Sequence, residues 1–381
     1  MICYSFSFKK SIGWTCQEFP AIDSENTLIL VFGASQLLDD SKPLDDLLQN
    51  YPRSLAIGCS TSGEILDKQI DDESLCVAII KFNKTRIKAC TEHINNTHES
   101  EVIGEKIAQS LIADDLKAVF LLTDGLNVNG SSLIRGLLSQ FEETIPISGG
   151  MAADGEEFQR TWVLANKKPE QNAVTAIGFY GSELCFETTS QGGWDVFGPE
   201  RTITRAHENV LYELDGKPAL TLYKEYLGEL AQGLPATGLL FPISILEQET
   251  QQEIVRTITS VNESDNSLTL AGDIPQGART KLMHANPERL INGASDAAET
   301  LVHKSCESSE LFVIAISCFG RRAVLKERSE EEVEAVTSAL PAHAHLMGFY
   351  SYGEFSPNFS GVCTLHNQTM TLTMIGECDD T

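Results

Sequence analysis

Short apolar runs and amphipathic stripes alternate along the chain in a fixed order. Leu28, Ile29, Leu30, Val31 and Phe32 form a run too short for a folded helix and rich in β-branched residues, which predicts a buried strand. Pro43 then stands at a first helical position, and Leu44, Leu47, Leu48 and Tyr51 follow at the i, i+3, i+4, i+7 spacing of one helix face. Leu55, Ala56 and Ile57 predict a second strand. The order recurs in residues 118–122, a helix through Leu133, Ile134, Leu137, Leu138 and Phe141, and a strand at 145–147. It recurs again in residues 311–316, a helix through Val333, Val336 and Leu340, and a segment at 345–347. Ser329 and Glu332 have the form of a capping box at the start of that last helix. Strand–helix–strand units of this length imply parallel neighbours joined by right-handed crossovers.

Each unit runs into one pattern, Gly-x-x-x-x-Gly-Glu, at Gly58 to Glu64, Gly150 to Glu156 and Gly348 to Glu354. The pattern falls just past the carboxyl end of a strand, where open α/β sheets bind small molecules. Residues 74–82 and 85–94 predict a hairpin turning at Asn83 and Lys84, followed by a helix through Ile103, Ile107 and Leu111. Residues 267–274 and 278–284, with a helix through Leu290, Ala294, Ala298 and Leu301, form a matching series. Self-similarity of this kind implies an internal duplication, with the first unit a partial third copy. Between the copies, residues 162–164, 173–180 and 184–189 predict antiparallel strands, and a helix runs through Leu220, Tyr223, Leu227 and Leu230. The expected fold is α/β with α+β elements. Two fused domains, residues 1–220 and 221–381, would hold duplicated strand–helix–strand units in mixed sheets flanked by helices.

Charge and composition narrow the partners. The net charge of −26, from 28 basic and 54 acidic side chains, disfavours any role that tracks nucleic-acid phosphates. It favours docking to a basic surface of another protein. No stretch approaches the ~20 apolar residues that span a bilayer, so a cytoplasmic protein without membrane insertion is expected. The ten cysteines include no CxxC pair, the closest two being Cys306 and Cys318, and most lie in apolar runs. Buried reduced thiols are the reading that follows.

The glycine patterns carry the candidate chemistry. Gly58, Gly63, Gly150, Gly155 and Gly353 allow tight turns or close approach of backbone to a ligand. Glu64, Glu156 and Glu354 either accept hydrogen bonds from a ligand ammonium group or cap amides of their own turns. Ser60 and Asp154 add polar groups to the same rim. Arg321 and Arg322 follow a buried strand and could grip a carboxylate in bidentate fashion. Tyr350 and Tyr352 alternate on an extended segment and so point the same way, towards a pocket or into the core. Known catalytic patterns are absent: no Gly-x-Ser-x-Gly elbow, phosphate loop or His-Glu-x-x-His site occurs, so no enzyme is expected.

Several of these segments resemble the FIST family of sensory proteins, which pair an N-terminal with a C-terminal FIST domain. Residues 204–219 are similar to the family's domain junction, and residues 57–64 and 149–155 to its N-terminal signatures. Residues 318–321, 348–354 and 365–369 are similar to its C-terminal ones. The resemblance implies a signal-input protein that binds a small ligand and regulates a separate cytoplasmic partner, such as a histidine kinase or a cyclic-di-GMP enzyme. One branch of similar length is described as haem-binding nitric oxide sensors, which makes haem b the leading ligand implied and a free amino acid the alternative. Haem needs an axial ligand in apolar surroundings, and His207 and His345 are the candidates. Arg321 and Arg322 would then grip a propionate. No CxxCH occurs, so the haem would be non-covalent.

Overall fold

The computed structural model describes residues 1–141, 145–246, 253–304, 308–358 and 360–378. Cys306 lies outside them. Three sheets share one plan: two parallel strands joined through a helix, an antiparallel strand beside them, and next to that the strand that opens the unit. The first sheet has Thr27–Gly33 and Leu55–Ser60 in parallel, then Ser74–Lys81 and Ile2–Lys9. In the second, Leu116–Thr123 and Ile147–Met151 are followed by Ala173–Tyr180 and Arg86–His93. The third sheet has Leu311–Cys318 and Ala344–Ser351, then Met370–Glu377 and Leu184–Gln191. The first unit is therefore a full copy of the strand plan rather than a partial one.

The outer edge of each parallel pair is closed by a hairpin from a different unit. Glu64–Leu66 and Gln69–Asp71, from the first unit, complete the third sheet. Val163–Ala165 and Lys168–Glu170, from the second, complete the first sheet. Glu354–Pro357 and Cys363–His366, from the third, complete the second sheet. Each glycine pattern is thus a crossover by which the chain leaves one sheet for the next, and three exchanges close a ring.

The sheets pack on one another through a shared core that includes Phe32, Phe120, Phe179, Ile316 and Phe349, all fully buried. Their outer faces lie under helices. Lys42–Leu48 covers the first with Leu44, Leu47 and Leu48, while Ser100–Leu111 and Gly130–Leu138 cover the second. Pro287–His303 and Ser329–Ala339 cover the third. Strands covered on both faces read as unbroken apolar runs, as Leu28 to Phe32 do.

Four sequence expectations change. Ser74–Lys81 and Arg86–His93 do not form a hairpin, because they belong to different sheets. The amides of Asn83, Lys84 and Thr85 between them are satisfied by the Glu377 carboxylate instead of by a turn. Ser267–Leu270 and Arg279–Ala285 likewise pair with other strands, within an eight-stranded sheet formed by residues 194–285. That sheet is inserted into the third unit, and the helix Ala219–Leu227 lies within its span. The segments at 162–164, 173–180 and 184–189 enter three separate sheets rather than pairing with each other. Finally, Ser329 and Glu332 make no capping box. Ser329 bonds the Lys326 carbonyl, while Glu332 turns inward to an ion pair with Arg321.

Candidate functional site

The three crossovers meet. Ser62 N–H donates to the Tyr350 carbonyl at 2.9 Å, Ala153 N–H to the Ser60 carbonyl at 2.9 Å, and Tyr352 N–H to the Met151 carbonyl at 3.3 Å. These bonds form a cyclic set in which positions 60, 151 and 350 are equivalent. The register moves the second glycine pattern back by one residue. Gly58, Gly149 and Gly348 are the matched glycines, since a Cβ on any of them would collide with the carbonyl oxygen of Val31, Leu121 or Ala315 on the neighbouring strand. Asp154 therefore stands where Gly63 and Gly353 stand in the other copies, and residues 155–162 are an insertion. Gly155 begins it, with φ +76°.

The same register explains the glutamates. Glu64 lies opposite Phe349, Glu354 opposite Gly150, and in the remaining copy Val163 lies opposite Cys59. Glu64 accepts from Thr61 Oγ1 and from the amide and hydroxyl of Ser74, at 3.1 and 2.8 Å for the latter two. Glu354 accepts from Ser351 Oγ at 2.6 Å and from the amide and hydroxyl of Thr369 at 3.3 and 2.9 Å. Each ties its own crossover to the start of the next strand, and burial pushes both carboxyls up to about 8. In the second unit Asp124 does this work, accepting from the Asn172 amide at 3.0 Å. Glu156 is exposed.

Other expected ligand groups are also committed inside the protein. Arg321 is fully buried, paired with Glu332 at 2.6 Å, and donates to the carbonyls of Gly192, Leu290 and Gln368. Tyr350 is buried as well and donates to Glu332 at 3.0 Å. Tyr352 differs, since its hydroxyl bonds Asp154 and the Gly155 carbonyl, so the two tyrosines reach different neighbours. Arg322 pairs with Asp72 and donates to the Ser62 carbonyl. Gly58, Ser60, Gly150 and Gly353 are buried and border none of the described cavities.

Space for a ligand lies beside the ring. A cleft of about 460 Å³ separates it from the eight-stranded sheet, and a second, more polar cavity of about 610 Å³ lies on the other side of a wall of aromatic rings. In that wall Phe158 stacks on Tyr352 with centroids 4.6 Å apart, and Phe319 meets both edge-on at 6.1 Å. Phe158 is carried by the insertion of the second unit. Tyr352 borders the cleft, while Gly63, Asp154, Gly155 and Glu156 border the polar cavity.

Behind the lining of the cleft lie unsatisfied polar atoms. Among the described residues, Asn367 Nδ2 and Oδ1 and Gln368 Oε1 are buried without a hydrogen-bond partner. Gln368 Nε2 donates to the Leu239 carbonyl and Thr257 Oγ1, both cleft residues, and its carboxamide packs on Gly320, another. A Cβ on Gly353 would stand 3.5 Å from Asn367 Nδ2 and 3.0 Å from Met151 Sδ, which faces the cleft. Buried polar groups nearly always find partners, so unpaired amides against a cavity mark a place where a ligand or water supplies them. Both side chains are uncharged, so charge and motif spacing do not single them out. Both lie in the 365–369 segment, and the extra residues between the second glycine pattern and its strand were the signal for Phe158.

The proposed haem ligands do not reach this cleft. His207 is exposed at the end of the strand Trp194–His207, and His345 bonds Glu310 at 3.2 Å. Neither borders a described cavity. His98 sits at the cleft rim, exposed, and His366 is half-buried at another cavity, of about 490 Å³, with Nε2 bonded to the Ser356 carbonyl. Among the described residues no cluster of three His, Cys, Asp or Glu side chains is placed to hold a metal, and no helix is long and apolar enough to cross a membrane.

Comparison with known proteins agrees with the plan of the chain. The FIST N domain model matches residues 27–217 and the FIST C domain model matches residues 219–357. An uncharacterized protein of Methanocaldococcus jannaschii is 26% identical over 361 residues, covering 86% of this chain and 65% of that protein. The chain thus spans just under two thirds of its relative's length.

Proposed function

The chain belongs to the FIST family of sensory, small-ligand-binding domains, and we propose that its ligand occupies the cleft between the crossover ring and the eight-stranded sheet. The observation that carries this reading is the set of unpaired amide atoms of Asn367 and Gln368 under the cleft floor. They offer both donors and acceptors, and Phe158, Phe319 and Tyr352 supply apolar contact. A free amino acid has the matching polar head and side chain. Haem is not favoured, because His207 and His345 lie away from this cleft.

Signalling follows from where Gln368 is anchored. Its side chain bonds the inserted residues 194–285 through Leu239 and Thr257, while its carbonyl accepts from Trp194 Nε1 at 2.9 Å. A ligand hydrogen-bonded to the free Gln368 Oε1 would pull on the same carboxamide and shift the inserted sheet against the core, a change that a separate signalling protein such as a histidine kinase could read. The role is binding without catalysis.

Calorimetric titration with the free amino acids tests the reading. Saturable binding of one of them that is lost in Gln368→Ala and in Tyr352→Ala supports it. Binding that survives both substitutions places the ligand elsewhere. A haemin titration giving a Soret band that disappears in His207→Ala or His345→Ala would overturn the ligand assignment.

A further inference from the structure

Another groove, separate from the cleft, contains a buried cation with no carboxylate of the described residues within ion-pair distance. Arg256 ends the strand Glu253–Arg256 and is 4% exposed. Its Nε donates to the Asp273 carbonyl at 3.2 Å, and its Nη1 donates to the carbonyls of Val255 and Leu365 at 3.2 and 3.0 Å. Its Nη2 has no hydrogen bond to a described residue, and no described carboxylate lies within ion-pair distance. Asp273, the nearest acid, has both carboxylate oxygens engaged by Asn129 Nδ2 and Arg135 Nη1. Arg256 borders a groove of about 610 Å³ whose walls include Ile134, Leu138, Ile254, Ile274, Val362 and Leu365.

A buried guanidinium with only carbonyl partners is costly unless an anion completes it. Burial lowers its pKa to about 10, so it stays charged at neutral pH. Gly272 has a role here, since a Cβ on it would stand 2.9 Å from Arg256 Nε and crowd the guanidinium. The apolar walls select a hydrocarbon body, and among the described residues the lining has no aromatic ring. The charge of the head is limited too. Glu208 and Asp273 border the groove beside Arg135 and Arg256, so a dianion would meet repulsion that a monoanion avoids.

We propose that this groove binds a small aliphatic monocarboxylate, its carboxylate on Arg256 and its chain along the Ile134, Leu138 and Ile254 wall. The proposal stands apart from the cleft reading, because it uses neither the aromatic wall nor the Asn367 and Gln368 amides.

Titration of the full chain with octanoate, octanol, octylammonium and octyl phosphate tests it. Octanoate should bind saturably, octanol roughly tenfold or more weakly because a charge-assisted bond is lost, and octylammonium not at all. Arg256→Gln should remove the preference for octanoate over octanol. That variant also loses a structural bond, so Leu138→Trp, on a half-exposed helix face, serves as a second probe and should block binding while leaving the circular dichroism spectrum unchanged. Equal binding of octanol and octanoate, octyl phosphate matching octanoate, or undiminished binding in Leu138→Trp would each overturn the assignment.

Discussion

Tyr352 donates its phenolic hydroxyl to Asp154, and this pair stands where the internal symmetry of the molecule breaks. Two copies of the crossover place glycine where Asp154 sits and proceed directly into a strand. The third spends residues 155–162 on an insertion that brings Phe158 onto the Tyr352 ring. Asp154 also accepts from the amides of Gln159 and Arg160, each at 2.8 Å, so one carboxylate shapes the inserted loop and fixes it to the third unit.

Tyr352→Phe removes that tether and keeps the ring. The loop should open more readily, with faster proteolytic cleavage in residues 155–160 and a loss of about 1–3 kcal/mol in urea unfolding. Cleavage at the wild-type rate would show that Asp154 alone holds the loop.

Arg321 and Glu332 form a fully buried pair that also receives Ser317 and Tyr350. Arg321→Met leaves a buried carboxylate without its cation and should cost about 3–5 kcal/mol. Combining it with Glu332→Met should recover part of that loss. A double-variant cycle by chemical denaturation measures the coupling, and a single-variant loss below about 1 kcal/mol would contradict the burial of the pair.

Glu64 and Glu354 make stability depend on pH near neutrality. Their folded values, about 8, lie above the ordinary 4.5, so the native state binds more protons than the unfolded chain between those values. Stability from these groups is fully present below about 4.5 and is lost as pH rises through about 8. His366 acts oppositely at lower pH. Burial lowers it to about 4, so its contribution is lost as pH falls from 6.5 through that value. The clean window is therefore pH 6.5 to 8, where wild-type stability should fall as pH rises. The fall should be shallower in Glu64→Gln and in Glu354→Gln, and a wild-type denaturation midpoint that is flat across the window would refute the assignment.

The shifted register of the second glycine pattern makes paired predictions. Gly149→Ala drives a methyl group into the Leu121 carbonyl and should cost about 3 kcal/mol or more. Glu156→Gln changes an exposed side chain and should stay within about 0.5 kcal/mol of wild type. Thermal unfolding of the two variants decides between this register and one in which Glu156 is equivalent to Glu64.

Much of this architecture was legible along the chain because its signals are local. A short apolar run bounded by turn residues encodes a strand buried on both faces, as at Leu28 to Phe32. The stripe of Leu44, Leu47 and Leu48 encodes the helix above it, and the threefold recurrence of strand, helix, strand and glycine pattern encoded a repeated module. The family resemblance read from segments such as 318–321 and 348–354 rests on the same kind of contiguous signal.

What the tertiary structure alone decided is which partner each segment meets. Strand pairing is a contact between distant residues, so no local pattern revealed that Glu64–Leu66 completes the third sheet or that Glu377 accepts from the Asn83 amide. Side-chain chemistry was ambiguous for the same reason. Arg321, Tyr350 and Glu354 have the composition of a ligand site, and burial against Glu332 and Thr369 assigns them to the framework. The neutral amides of Asn367 and Gln368 gained meaning only when folding placed them beneath a cavity and left three of their polar atoms without partners.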